Sequence, residues 1–439
     1  MPKGNTVRTA LLLTIAITAA AQAQPVLYRA GVIHTVAGDS IAGGQMLVDR
    51  GRIVAVGKAI PNPPANTVQV DLGKLQVYPG LIAATTSLGL TEINAVRATQ
   101  DTTEVGEFTP DVEAWISVNP DSTLIPVARA NGITHALVAP MGGIVTGTSG
   151  CIKLTGWGVE DMAIARNVAL HLRWPAMNIN TRPKSSYADP KDYKTPKEQA
   201  ETRDKKLKRL DRFFDEAHAY ARARAARGKD FETRPAWESL LPFIEAKRPV
   251  MVHANDLRQI KAAVEWAKRR GYKIILAGSR DAWRCAGLLA KEKIPVIFDG
   301  TFTLPSRDTD PHDSHFRAPS ILTKAGVSVS LSPQMGSWAA AGARNLPYAA
   351  AQSAAHGFTR ADALKSITLN PARALGLGKQ LGSLEPGKEA TFIAVNGDIL
   401  DIRANVKRMW IAGKETTLES RHTRLYEKYR QRPRPAGLK

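Results

Sequence analysis

Apolar and polar positions follow one rhythm at the two ends of the chain and another between them. From Val26 to Val70 the apolar runs are short and strand-like. Met46-Leu47-Val48 and Ile53-Val54-Ala55-Val56 flank Asp49-Arg50-Gly51-Arg52, which reads as a β-hairpin turn. A matching pattern returns late: Thr391 to Val395 is apolar and partly β-branched, and Val406 to Ile411 repeats it before Ala412-Gly413-Lys414. Strands at both ends with a long different stretch between them predict one small β-sandwich domain assembled from the termini, residues 24–78 and 378–415.

Between them, residues 79–377 alternate strands with helices. Val250-Met251-Val252-His253 is an apolar strand, and Asn255 or Asp256 can cap the helix after it. Ile260, Ala263, Val264 and Ala267 fall at helical spacing there, and Gly271 ends it. Ile274-Ile275-Leu276 is the next strand, Asp281 to Lys293 the next helix, Ile294 to Phe298 another strand. Pro319 to Lys324, stopped by Gly326, and Val327 to Leu331 continue the series. Such βαβ units build a parallel sheet with right-handed crossovers. At this length they predict an α/β fold closed as a (β/α)8 TIM barrel, and no G-x-G-x-x-G turn argues for a dinucleotide fold. Residues 184–235 interrupt the pattern as a basic insertion. Leu207, Leu210, Phe213 and Phe214 sit at helical spacing within it, predicting a surface helix laid along the barrel.

The first 23 residues have another character. Lys3 and Arg8 precede the apolar run Ala10 to Ala20, and Ala21-Gln22-Ala23 is a small-x-small cleavage pattern, so residues 1–23 read as a signal peptide cut near Ala23. A periplasmic or secreted protein starting near Gln24 is expected, with no transmembrane span. The chain of 439 residues carries a formal charge of +20. Its strongest sources are the insertion and residues 403–439, including a basic tail over 416–439. No zinc-finger spacing, RNA-recognition motif or basic zipper accompanies this charge, so it reads as solvation or surface adhesion and no nucleic-acid partner is expected. The two cysteines, Cys151 and Cys285, read as buried thiols rather than a bridge.

Pro79-Gly80-Leu81-Ile82 closes the first β segment, Thr368-Leu369-Asn370-Pro371-Ala372 follows the barrel, and Leu381-Gly382-Ser383-Leu384-Glu385-Pro386-Gly387-Lys388-Glu389-Ala390 precedes the last strands. In this order, over residues 30–415, the motifs resemble the amidohydrolase superfamily, nearest its imidazolonepropionase-like branch. The resemblance implies metal-assisted hydrolysis of a C–N bond, with ligands at the C-terminal ends of barrel strands: two His on the first, one each on the fifth and sixth, and an Asp on the eighth. In this sequence the first-strand positions are Thr85 and Ser87, and Ala83 stands where an Asp is usual. The sixth strand reads Ile275-Leu276-Ala277-Gly278-Ser279, and the eighth ends in Ser332-Pro333. Only His253 keeps a ligand, whereas a zinc site needs about three or four protein donors.

Two readings of function follow. In the first, a hydrolase of non-peptide or cyclic amide C–N bonds works from a reduced or relocated site. His253 is its metal ligand or general base, Ser332 a further catalytic group, and Thr85, Ser87 and Asn255 orient a small-molecule substrate. In the second, a catalytically silent relative binds a small molecule or an envelope partner through the same face. His312 and His315, with Asp308, Asp310 and Asp313 in the loop after Phe298, are candidate replacement ligands for one divalent ion, zinc by resemblance. Thr146 and Thr148 lie in the glycine-rich Pro140–Gly150 stretch, a candidate substrate loop. His171 stands at what reads as a strand end, a further candidate. A homo-oligomer is compatible with all of this.

Overall fold

A computed structural model describes residues 24–226, 231–336 and 338–433; the expected signal segment 1–23 lies outside them. Two β-sheets face each other at one side of the molecule. The first orders its strands Arg52–Gly57, Gln45–Asp49, Val26–Arg29, Val68–Asp71. The second orders Lys414–Glu415, Val406–Ile411, Phe392–Val395, Gln76–Pro79, Val32–His34, Ser40–Ala42, so it joins strands from both ends of the chain. The join is the antiparallel pair Phe392↔Pro79 through Val395↔Gln76. The turn between Asp49 and Arg52 has Arg50 at φ 47° and Gly51 at φ 74°, the left-handed pair of a tight hairpin. Between the sheets Phe392 stacks on Trp410 at 4.5 Å and meets the edge of Tyr28 at 5.0 Å. Each such ring pair adds about 1 kcal/mol beyond its buried area.

The barrel sheet has eight strands in sequence order: Leu81–Thr86, Ile133–Val138, Val145–Lys153, Ala163–Arg173, Val250–Ala254, Ile274–Gly278, Val296–Phe298 and Val329–Leu331. Alternation along each strand sorts the apolar side chains. Ile82, Leu137, Cys151, Ala169, Met251, Ile275 and Ile297 fill one buried cluster inside the ring. Leu81, Val138, Leu170, Val252, Leu276 and Phe298 join the larger core beneath the helices. The ring is nearly closed, and hydrogen bonds of the Ser332 hydroxyl span the seam between the first and last strands: it accepts the Thr85 N–H at 2.8 Å and donates to the Thr85 carbonyl at 2.7 Å.

One expectation is corrected. The sheet is not parallel throughout, because Val145–Lys153 runs antiparallel to both neighbours. The reason is the link before it. Residues 139–144 are too few for a crossover, which takes about a dozen residues or more, and suit only a hairpin.

The helix Leu257–Arg270 begins with a reciprocal Asp256/Gln259 cap and stops at Gly271, φ 70°. The helix Pro196–Ala225 lies along the barrel, started by a Thr195/Glu198 capping box. It buries Leu210, Phe214 and Ala217, with Phe214 edge-on to Trp266 at 5.1 Å. Cys151 and Cys285 are free, buried thiols, and burial pushes the Cys151 thiol up to about 12.

Candidate functional site

His171 and Arg173 close the fourth barrel strand on one face, since side chains two apart point the same way. His253 closes the fifth, whose ladder sets it opposite Arg173. The His171 Nδ1 and His253 Nε2 atoms are 2.8 Å apart, so one imidazole donates its proton to the other. Burial holds both rings below the usual imidazole range, His171 at about 3 with Arg173 adding to the effect, and His253 well below by burial, then by His171 and Arg173. At neutral pH the pair is uncharged. His171 Nε2 is buried and has no hydrogen-bond partner.

Three charged side chains stand at or just past the ends of the fourth, sixth and seventh strands. Arg173 buries its Nε and Nη2 atoms without partners, and burial lowers its pKa while Asp299 opposes that. Asp299 follows the seventh strand and leaves a buried Oδ1 unpartnered. Burial raises its pKa against Arg280, the backbone N–H groups of Asp299 and Met335, and Arg173. Arg280 comes after Gly278 (φ 77°) and Ser279 (φ 53°), two successive left-handed residues that turn the chain off the sixth strand, and its Nε is also buried and unpartnered. A cavity of about 230 Å³ opens beside Asp299, lined also by Thr301, Ser332, Gln334, Trp338 and Asn345. Buried polar groups are normally satisfied, so orphaned donors and an acceptor together at the carboxyl end of a barrel mark a place built for a ligand.

The other sequence candidates are placed as follows. Ser332 and Thr85 meet, and their hydroxyls lie 3.1 Å apart, in the seam already described. The Ser87 hydroxyl donates to the Gly336 carbonyl at 2.7 Å. Asn255 is exposed and pairs through its backbone with Gln259 and Asp281. Thr146 and Thr148 lie in the antiparallel third strand and not in a free loop, and the Thr148 hydroxyl bonds Asn167 at 2.9 Å. The glycines there have another cause: a Cβ at Gly147 or Gly150 would meet Val112 or Trp115 at 2.5 Å, because residues 107–115 lie flat across that strand. His312 is exposed and His315 buried, and His315 Nδ1 lies 2.8 Å from the Thr303 hydroxyl. Asp310 pairs with Arg284 and Arg307. That loop therefore gathers no ligand set.

Among the described residues, no group of three or more His, Cys, Asp and Glu side chains is placed to hold a metal ion. The mouth does not fit a divalent cation: two imidazoles turn nitrogens to each other, one carboxylate is present, and two guanidiniums repel positive charge. His171, Arg173, Arg280 and Asp299 each stand at or just past a strand end, a signal that strand-end position alone could have supplied.

Residues 163–416 match the Amidohydrolase family profile. An amidohydrolase structure from Thermotoga maritima is 25% identical, with a TM-score of 0.73 over 89% of this chain and 99% of its own. A Xanthomonas campestris adenosine deaminase with bound zinc shares the fold at a TM-score of 0.52 and 17% identity, covering 93% of this chain and 97% of its own. The amidohydrolase tasK of Hapsidospora irregularis is 20% identical over 84% of this chain, which spans 39% of that relative's length.

Proposed function

Since the chain belongs to the amidohydrolase family, we propose that it is an exported hydrolase of C–N bonds in small molecules, non-peptide or cyclic amides, working from the His171–His253 pair. Members of the superfamily commonly use a divalent metal such as zinc; the residues of this mouth support a route without one. The Asp299 carboxylate takes a proton from water as the hydroxyl oxygen bonds to the amide carbon. The neutral imidazole pair, whose His171 Nε2 is buried without a partner, donates a hydrogen bond to the negative charge then gathering on the amide oxygen. Asp299, its carboxyl pKa raised by burial, then returns that proton to the leaving nitrogen as the C–N bond breaks. The observation that carries this reading is the half-buried 2.8 Å imidazole contact beside orphaned guanidinium donors.

The test is turnover of cyclic amides, dipeptides and imidazolones by purified protein of measured metal content. His253→Ala and His171→Ala should each lower kcat/KM about 100-fold or more. Stoichiometric zinc lost in His253→Ala would overturn the metal-free route. The orphaned donors also favour a second reading, a silent relative that binds a small molecule in the mouth, and a wild type with no turnover would establish that one. Export rests on residues 1–23, and N-terminal sequencing of protein from the periplasm or medium should begin near Gln24.

A further inference from the structure

We infer that the barrel mouth recognises a monoanionic carboxylate carrying an adjacent N–H group, an N-acyl amino acid or a compound of the same pattern, with Arg173 and Arg280 holding the carboxylate and Asp299 accepting the N–H. This rests on the mouth being the substrate site of the proposed hydrolase. Four unsatisfied atoms define the ligand. Arg173 Nε and Nη2 and Arg280 Nε are buried donors with no acceptor, while Asp299 Oδ1 is a buried acceptor with no donor. The guanidiniums make no ion pair with Asp299 within 4 Å among the described residues, although it feels both charges. The three groups therefore do not quench one another.

A guanidinium edge matches the two oxygens of a carboxylate. Two such groups against one carboxylate leave a single positive charge, and the imidazoles beside them are neutral. A monoanion balances that charge, whereas a phosphate dianion over-fills it and meets Asp299 as a like charge. A carboxylate alone still leaves Asp299 Oδ1 bare. A ligand with an N–H next to its carboxylate satisfies both sets, and the cavity of about 230 Å³ beside Asp299 accepts its remainder. Where the family scaffold commonly gathers cations, this chain gathers anions.

The experiment is titration calorimetry of the full mature chain with N-acetylglycine, N-acetylglycinamide, acetate and inorganic phosphate at pH 7. The expected order is N-acetylglycine above acetate, with the uncharged amide and phosphate at least tenfold weaker. Arg173→Met and Arg280→Met should each weaken N-acetylglycine at least tenfold, and Arg173→Lys less. Asp299→Asn should erase the preference over acetate while leaving acetate unchanged. Circular dichroism and melting temperature confirm folding, and removing an unpaired buried charge should not lower the latter. Equal binding of N-acetylglycinamide, tighter binding of phosphate, or full affinity in folded arginine variants overturns the inference. Carboxylate binding without turnover refutes only the hydrolase; turnover of neutral amides indifferent to both arginines refutes only the inference.

Discussion

Two clusters of buried charge draw on the segment 280–310, the second also on Arg173, and differ in one respect. In the first, Asp281 and Asp310 are buried and fully engaged. Arg307 grips Asp281 in a fork at 3.0 and 2.6 Å, the Leu257 N–H reaches the same carboxylate at 3.1 Å, and Arg284 and Arg307 hold Asp310. In the second, at the barrel mouth, Arg173, Arg280 and Asp299 keep buried atoms with no partner. A satisfied cluster pins the loop after Phe298 to the sixth strand. An unsatisfied one is a standing cost to the fold, retained where a ligand completes it.

The largest effect that would separate the two is Asp281→Ala. It leaves Arg307 and a backbone N–H uncompensated, and urea unfolding should show a loss of about 3–5 kcal/mol. Acid comes next. His135 and His171 are 1% and 0% exposed, and burial sets both pKa values near 3. The folded values lie below the unfolded one of 6.5, so above pH 6.5 the groups are neutral in both states and carry no penalty. As pH falls below it the unfolded chain takes up protons that the fold refuses, and stability drops by about 3 kcal/mol per pH unit for the two together until pH nears 3. A flat stability curve between pH 6.5 and 5 would contradict this. Ser332→Ala should cost roughly 1–3 kcal/mol by stranding the Thr85 N–H at the seam, with kcat/KM reduced less than tenfold if that hydroxyl only closes the ring. Smallest of all, Asp299→Asn should change unfolding free energy by under about 1 kcal/mol, in contrast to Asp281→Ala. An Asp299→Asn loss as large as that of Asp281→Ala would erase the distinction between the clusters.

Much of the architecture was readable before any coordinates. The 49–52 hairpin, the cap before Leu257 and the stop at Gly271 are local events, dictated by neighbours in sequence. The reversed third strand, Val145–Lys153, is hidden in the sequence because its first half lies in the glycine-rich Pro140–Gly150 stretch, which reads as a loop. The telling quantity was the short 139–144 link. The glycines at 147 and 150 suggested an open loop, yet they answer to residues 107–115, a long-range contact that no local pattern records. At the mouth, His253 stood out through resemblance, whereas Arg173 and Asp299 did not, since an arginine or aspartate after a strand is commonplace until burial removes its partners. Ser332 drew attention for its position in the family pattern, and its hydroxyl is taken up by the Thr85 backbone.

The sandwich that unites both ends of the chain carries a kinetic consequence. Gln76–Pro79 has no antiparallel partner until Phe392–Val395 exists, so Val32–His34, Ser40–Ala42 and Gln76–Pro79 leave the ribosome long before the rest of their sheet. Their edges stay open for most of synthesis, a non-local closure of the kind that slows folding and invites pairing with the wrong chain. A chaperone that shields extended segments would therefore act on residues 26–79, and truncation before residue 392 should leave that region prone to aggregation however well the barrel has assembled.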